Sequence, residues 1–160
     1  MLRRAETENI PGIVGLGKAS ELGVEDLPEK VNRLRKSRDF LDSGIRERTE
    51  RVPPTRHPKF RLPGHASYCI EGIEGEVPLL LLNQDGICVN TGSACGSKAL
   101  KIAPVLVAIG VRPDLAQGSI VFTLDSMNSV EDIEYVLEKF PQVVKQLRSL
   151  SPVWRKTSAA

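Results

Sequence analysis

The chain has 160 residues, of which 41% are hydrophobic and 26% are charged, so it can bury a core and is not expected to be disordered throughout. Its 22 basic and 20 acidic side chains leave a net charge of +2, which gives no support to a nucleic-acid-binding protein. No apolar run approaches the roughly 20 residues that span a bilayer. Three cysteines, an odd number, favour free thiols. We therefore expect a soluble cytoplasmic protein with no nucleic-acid or membrane partner.

The first third of the sequence predicts helices. A first helix follows Pro11, and its glycines suggest close packing against another element. From Val24 to about Arg51 the pattern is that of a long amphipathic helix. Its apolar side comprises Val31, Leu34, Phe40 or Leu41, and Ile45. We expect residues 1–52 to form a helical segment, followed by a proline-rich linker over residues 53–64.

The remainder predicts a small α/β (α+β) domain over residues 65–151, with a frayed tail over residues 152–160. Alternating or β-branched runs predict strands at 66–71, 86–91 and 118–124, joined in one three-stranded sheet. Short helices are expected at 76–83 and 104–110. Ser129 and Asp132 form a capping box that opens a last helix over 129–150, whose apolar face packs on the sheet.

Cys95 is the strongest candidate for a reactive residue. It lies in a run of small residues, between Ala94 and Gly96, where no bulky side chain shields the sulfur. Lys98 and Lys101 are near enough in sequence to favour the thiolate, which is the nucleophilic form. A small buried cysteine is the alternative. Cys69 and Cys88 alternate with apolar residues and are expected to be core or half-core thiols.

Other sites are weakly indicated. A metal site could draw on Cys69, Cys88, Cys95 and His65, but no Cys-x-x-Cys pair is present. A Cys-His pair for hydrolysis would need His57 or His65, both in or beside the linker.

Three blocks of the sequence carry a resemblance to a known family. They are the Ile70–Glu76 run with four leucines after it, the Gly86–Cys95 run ending in Gly-Ser-Ala-Cys, and the Ala116–Ile120 block. With the opening Arg4–Gly15 segment, they resemble the C-terminal part of cysteine desulfurases. These are fold-type I transferases of the class V aminotransferase family that depend on pyridoxal phosphate (PLP).

The resemblance implies a fold, a mechanism and partners. The chain would be the small C-terminal domain, and Cys95 would match the nucleophile that takes sulfur from L-cysteine as a persulfide. Thr7 would match a threonine that reaches the PLP phosphate of the neighbouring subunit in the family's homodimer; an N-cap or turn hydroxyl is the alternative. The partners implied are a PLP-bearing large domain or subunit and a sulfur acceptor, such as a scaffold for iron–sulfur cluster assembly.

The sequence also departs from the family. It contains no His-Lys pair to supply the PLP lysine, Glu6 replaces a glycine, and Val121 stands where the family usually has an arginine that grips the substrate carboxylate. We therefore expect that the chain binds no PLP alone and is inactive without the PLP-bearing domain. A degenerate homologue acting as a dimerisation or scaffold module, or as a thiol sulfur carrier, is the alternative.

Overall fold

The computed structural model describes residues 7–73, 76–91, 102–152 and 154. Within them the chain forms α-helices and one antiparallel sheet, as the α/β (α+β) interpretation predicts. The elements in chain order are α1 (Ile10–Glu25), α2 (Leu27–Arg48), β1 (His65–Cys69), α3 (Val77–Gln84), α4 (Pro104–Ala108), α5 (Pro113–Ala116), β2 (Ser119–Thr123) and α6 (Val130–Leu150).

The sheet pairs β1 with β2 in a register that sets Tyr68 opposite Ile120 and Cys69 opposite Ser119. Because successive side chains of a strand point to opposite faces, these two pairs lie on opposite sides of the sheet. The face with Tyr68 and Ile120 also carries Ala66 and Phe122, and all four are buried. That face joins the main hydrophobic core.

The prediction of a third strand over 86–91 is wrong. Among the described residues the sheet has two strands, and Asn90 contributes only an isolated bridge to Val121. The start of this stretch instead closes α3. Gly86, with φ +77°, donates its N–H to the Asn83 carbonyl, and the N–H of Ile87 bonds to the Leu82 carbonyl. This is the pattern of a Schellman cap, so these backbone groups are unavailable to a strand.

Helices α2 and α6 pack against each other and cover the core face of the sheet. On α2 it is Leu41, not Phe40, that belongs to the apolar side facing the core: Leu41 is 1% exposed, whereas Phe40 is 40% exposed. The ring of Phe122 contacts Tyr68 and Phe140 edge-on, with centroids 6.2 and 5.7 Å apart, so β1, β2 and α6 meet in one aromatic cluster.

The capping box at the start of α6 is confirmed. Ser129 Oγ accepts a hydrogen bond from the N–H of Asp132 at 3.2 Å, and Asp132 accepts one from the N–H of Ser129 at 2.9 Å. Two donors that a helix start leaves unpaired are thereby satisfied. The apolar face predicted for this helix is also the face that packs, with Ile133, Leu137, Phe140 and Val144 all buried.

Near its end, α6 is tied to the rest of the chain by Arg148. This buried guanidinium donates to the carbonyls of Glu50, Arg51 and Glu71 at 2.9 to 3.1 Å. The Trp154 ring lies over it at 4.0 Å, a cation–π distance. Burial lowers the pKa of Arg148, and the opposing charges of Glu50 and Glu71 do not offset it.

Helix α1 differs from the others because none of its residues is buried. The side chain of Asn9 caps it by accepting from the N–H of Gly12 at 3.2 Å. Ile13, Val14 and Leu16 are each more than half exposed, so the close packing that its glycines suggested is not made by the described residues. Within the described ranges, no helix has both the length and the apolarity needed to cross a bilayer.

Gly44 tests the contact between α2 and α6. A methyl group at this position would overlap the buried side chain of Leu137, so Gly44→Ala should lower the free energy of unfolding by about 1–3 kcal/mol. The matched control is Gly17→Ala on the exposed face of α1, where nothing lies near the added methyl. That substitution should cost nothing, because alanine is the better helix former. Urea unfolding of both variants checks the prediction, and equal stabilities would contradict it.

Candidate functional site

The face of the sheet turned away from the main core carries small side chains, two of which are serines. Ser67 and Cys69 of β1 lie on it opposite Val121 and Ser119 of β2. Ser67, Cys69 and Ser119 are buried, and Val121 is partly exposed. We call these four residues the second face. It is the surface beside which the two ends of the segment that contains Cys95 lie.

The segment that contains Cys95 leaves and rejoins the described chain beside one cross-strand pair of the second face. On the entering side, Ser119 Oγ donates a hydrogen bond to the carbonyl of Thr91 at 2.8 Å. On the returning side, Ala103 is 1% exposed and belongs to a small apolar cluster with Cys69, Leu106 and Ala116. Because Cys69 pairs with Ser119, both ends are fixed at that pair. Cys95 itself lies outside the described residues.

Val121 occupies the middle of the second face. Its main-chain groups pair with Asn90, which donates to the Val121 carbonyl at 3.1 Å and accepts from its N–H at 2.6 Å. On the other side Val121 faces Ser67, whose hydroxyl shares a hydrogen bond of 2.6 Å with Thr55. Val121, the position where the resemblance expects an arginine, therefore lies on the same face of the sheet as Ser119, which holds Thr91. A valine there offers no cation for a carboxylate.

The two described cysteines behave differently. Cys69 is fully buried, as expected, and burial raises the pKa of its thiol to about 11, so it is neutral at physiological pH. The prediction that Cys88 is a core or half-core thiol is wrong, because Cys88 is exposed. Its neighbour Ile87 takes the buried position instead, and the Cys88 thiol lies 3.8 Å from Asn83 Oδ1.

The structure does not bring the other candidates to the second face as a group. Thr7 is exposed, and the N-cap of α1 is Asn9 rather than Thr7. His57 is exposed and accepts hydrogen bonds at Nδ1 from the N–H groups of Lys59 and Phe60. His65 begins β1. Within the part of the chain that is described, no three potential ligands lie close enough to hold a metal ion.

Sequence reasoning missed the residues that fix the ends of the Cys95 segment. Thr91 and Ser119 each lie in a block that carries the resemblance, but they are joined to each other only through the tertiary structure. The available signal was indirect: both adjoin glycines, Gly92 and Gly118. A side chain at Gly118 would overlap the carbonyls of Ile70 and Ile73, so the start of β2 needs glycine to approach the end of β1.

The described residues form a two-stranded sheet packed with helices, and Thr91 and Ala103, which flank the segment that contains Cys95, lie beside the Cys69–Ser119 pair of that sheet. The chain belongs to the aminotransferase class-V family, whose model matches residues 1–136.

Relatives within that family include proteins named as cysteine desulfurases. The chain is 45% identical over 157 residues to cysteine desulfurase IscS of Methanosarcina thermophila, covering 96% of this chain and 38% of that protein. It is 44% identical over 152 residues to cysteine desulfurase of Sinorhizobium fredii, covering 95% and 39%. The chain thus spans less than half the length of the curated relatives that it matches.

Solved structures show the same likeness. A NifS-like protein superposes with a TM-score of 0.77 at 31% identity, covering 90% of this chain and 36% of that one. A NifS-like protein from Rickettsia africae gives a TM-score of 0.75 at 27% identity, covering 89% and 36%. The fold is therefore that of a portion of these larger proteins.

Thiol alkylation tests the environments of Cys69 and Cys88. In a Cys95→Ser background, iodoacetamide at neutral pH should label Cys88 and leave Cys69 almost unmodified, because Cys69 is buried and its thiol has a pKa near 11. Labelling of Cys69 should increase with pH up to that value. Peptide mass spectrometry measures both rates, and unfolding in urea is the control that should equalise them. Equal rates in the folded protein would contradict the assignment.

Proposed function

We propose that this chain is the portion of a cysteine desulfurase that carries the sulfur-accepting cysteine, and that Cys95 is that residue. The relatives named as cysteine desulfurases match nearly the whole chain, which supports the reaction class. The observation that carries the proposal is the common anchor of the Cys95 segment, since Thr91 and Ala103 are both held at the Cys69–Ser119 pair. The two described ends of the segment that contains Cys95 thus lie beside the same cross-strand pair of the second face.

The proposed reaction can be written in balanced form. L-Cysteine and the Cys95 thiol give L-alanine and a Cys95 persulfide. The carbon–sulfur bond of the substrate breaks and a sulfur–sulfur bond forms. The carbon is reduced by two electrons while the two sulfur atoms are each oxidised by one, and the hydrogens balance. The sequence neighbours of Cys95, Ala94 and Gly96, are small, which suits a thiol that has to meet a substrate and then an acceptor.

The family depends on pyridoxal phosphate, which supplies an electron sink bound through a lysine. The described residues do not fit that group on their own. Their lysines lie on the outer surfaces of helices α1, α2 and α6 or in the 53–64 segment, and none belongs to the second face. We propose that the lysine, and with it the cofactor, is provided by a PLP-bearing domain, and that residues 1–52 link this chain to it.

The exposed surface of α1 supports such a partner. Ile13, Val14 and Leu16 are apolar and more than half exposed, and a contiguous apolar surface commonly marks an interface. The rest of the arrangement follows the family: a small domain over 65–151 after the 53–64 linker, a homodimer in which Thr7 approaches the cofactor phosphate, and cytoplasmic delivery of sulfur to an acceptor such as an iron–sulfur scaffold.

A chimera tests the function. Replacing the matched 157 residues of the Methanosarcina thermophila protein with this chain joins it to a PLP-bearing portion. We expect the chimera to form alanine from L-cysteine and to gain one sulfur atom on Cys95, measured by intact mass and peptide mapping. Cys95→Ser should abolish the persulfide, whereas the control Cys88→Ser should preserve it. A folded, PLP-loaded chimera that never forms the persulfide would refute the proposal and favour the scaffold alternative.

The absence of a cation at Val121 can be tested in the same chimera. If this position holds the substrate carboxylate in the family, Val121→Arg should raise kcat/KM for L-cysteine by at least tenfold, since a charge-assisted pair is worth roughly 1.5–3 kcal/mol. Val121→Leu is the matched control and should leave kcat/KM unchanged. A drop in activity with the arginine would show that the valine has a role of its own.

A further inference from the structure

A cluster of arginines lies on the core side of β1, away from the second face. It joins α2 to the segment that leads into β1. Its members, called here the arginine cluster, are Arg38, Arg46, Arg56, Arg61, Asp39 and Asp42. Three of its guanidinium side chains are at least nine-tenths buried: Arg56 is 6% exposed, Arg38 is 8% and Arg61 is 10%.

Asp42 is the central anion of the arginine cluster. One of its oxygens accepts from the Tyr68 hydroxyl at 2.7 Å, and the other accepts from Arg46 at 2.8 Å and from Arg56. Burial opposes ionisation of Asp42, but the hydrogen bonds from Tyr68 and Arg56, together with the arginine charges, outweigh it and lower its pKa. Asp42 therefore remains charged, and both of its carboxylate oxygens accept hydrogen bonds from other residues of the arginine cluster or from Tyr68.

Asp39 is the second anion, and it lies at the rim with 59% of its side chain exposed. A single oxygen, Oδ1, accepts from Arg38 at 2.8 and 3.0 Å and from Arg61 at 3.1 Å. Arg38 is also held by the carbonyls of Leu62 and Pro63. Asp39 is thus an exposed carboxylate placed over buried cations.

The arginine cluster is short of negative charge. Four guanidinium groups meet two carboxylates, which leaves a charge of +2. Two buried nitrogen donors, Nε of Arg56 and Nη1 of Arg61, have no hydrogen-bond partner among the residues that the structure describes. Burial and the charges of Arg56 and Arg38 lower the pKa of Arg61, as an excess of cations requires. Burying charge without a partner is costly, so the excess positive charge and the unpaired donors favour the binding of an anion.

We propose that the arginine cluster binds a phosphate dianion, either inorganic phosphate or the phosphate group of a monoester. A dianion matches the excess of two charges, and its oxygens can accept from both Arg56 Nε and Arg61 Nη1. Both arginines belong to the irregular segment between α2 and β1, so they can admit an anion without breaking a helix or the sheet. Asp39, exposed at the rim, is the carboxylate that the anion displaces from Arg61.

Phosphate binding to the full chain tests the proposal. At about pH 8, where phosphate groups are mostly dianionic, inorganic phosphate should raise the melting temperature in a saturable way. Sodium chloride at matched ionic strength should not. Arg56→Gln and Arg61→Gln should each weaken binding by about tenfold or more, as expected for a lost hydrogen bond to a charged group. The control Arg112→Gln, whose side chain is 71% exposed and paired with Asp114, should have no effect.

Asp39→Asn gives the test that keeps the proposal falsifiable if the arginine variants fail to fold. Removing the competing carboxylate should tighten phosphate binding severalfold, whereas a merely structural role for Asp39 would leave it unchanged. Phosphorus NMR titration measures both affinities, and a simple phosphate monoester used in parallel distinguishes a free anion from an ester. Equal responses to phosphate and chloride, or an unchanged affinity in Asp39→Asn, would overturn the proposal. Cys95→Ser should leave binding intact, which separates this site from the sulfur chemistry.

Discussion

The register of β1 against β2 is the constraint on which the rest of the molecule depends. Setting Tyr68 opposite Ile120 turns one row of side chains toward α2 and α6, and it turns Cys69 and Ser119 the other way. A slip of one residue would exchange the two faces. A slip of β2 would turn Phe122 away from Tyr68 and Phe140 and would place Ser119 in the core. The hydrophobic effect that fixes the core thus also fixes the anchor of the Cys95 segment.

The same register couples the core to the arginine cluster. Tyr68 buries its ring against Phe122, yet its hydroxyl reaches Asp42 on α2 at 2.7 Å. One side chain therefore serves both the packing of the sheet and the orientation of the main buried carboxylate. Because Tyr68 and Cys69 are neighbours pointing in opposite directions, the arginine cluster and the second face are close along the chain but separated by the sheet. Two chemically distinct sites can coexist on so small a sheet for this reason.

Local signals in the sequence predicted the helices well, but they predicted poorly which residues distant in the chain come into contact. The Ser129–Asp132 box and the periodic apolar residues placed α6, because both act within one or two turns of helix. The third strand failed because Ile87 and Cys88 alternate like a strand while Gly86 commits the preceding backbone to a helix cap. The arginine cluster was invisible, since Asp42, Arg56 and Tyr68 meet only after folding. The candidate nucleophile Cys95 came from the resemblance to the family and from its small sequence neighbours, not from periodicity, and its role stays a prediction.

The chain separates the residues that stabilise it from those proposed to act. Its core draws on α2, α3, α6 and the sheet, and α1 contributes nothing to it. Cys69, at the anchor, is a buried neutral thiol that packs like a small apolar residue, because ionising it in place would be costly. A reactive sulfur at that position would need both solvent and a stabilising charge, and burial removes the first. Cys69 therefore serves to pack the anchor, and we propose that the sulfur chemistry belongs to Cys95 instead.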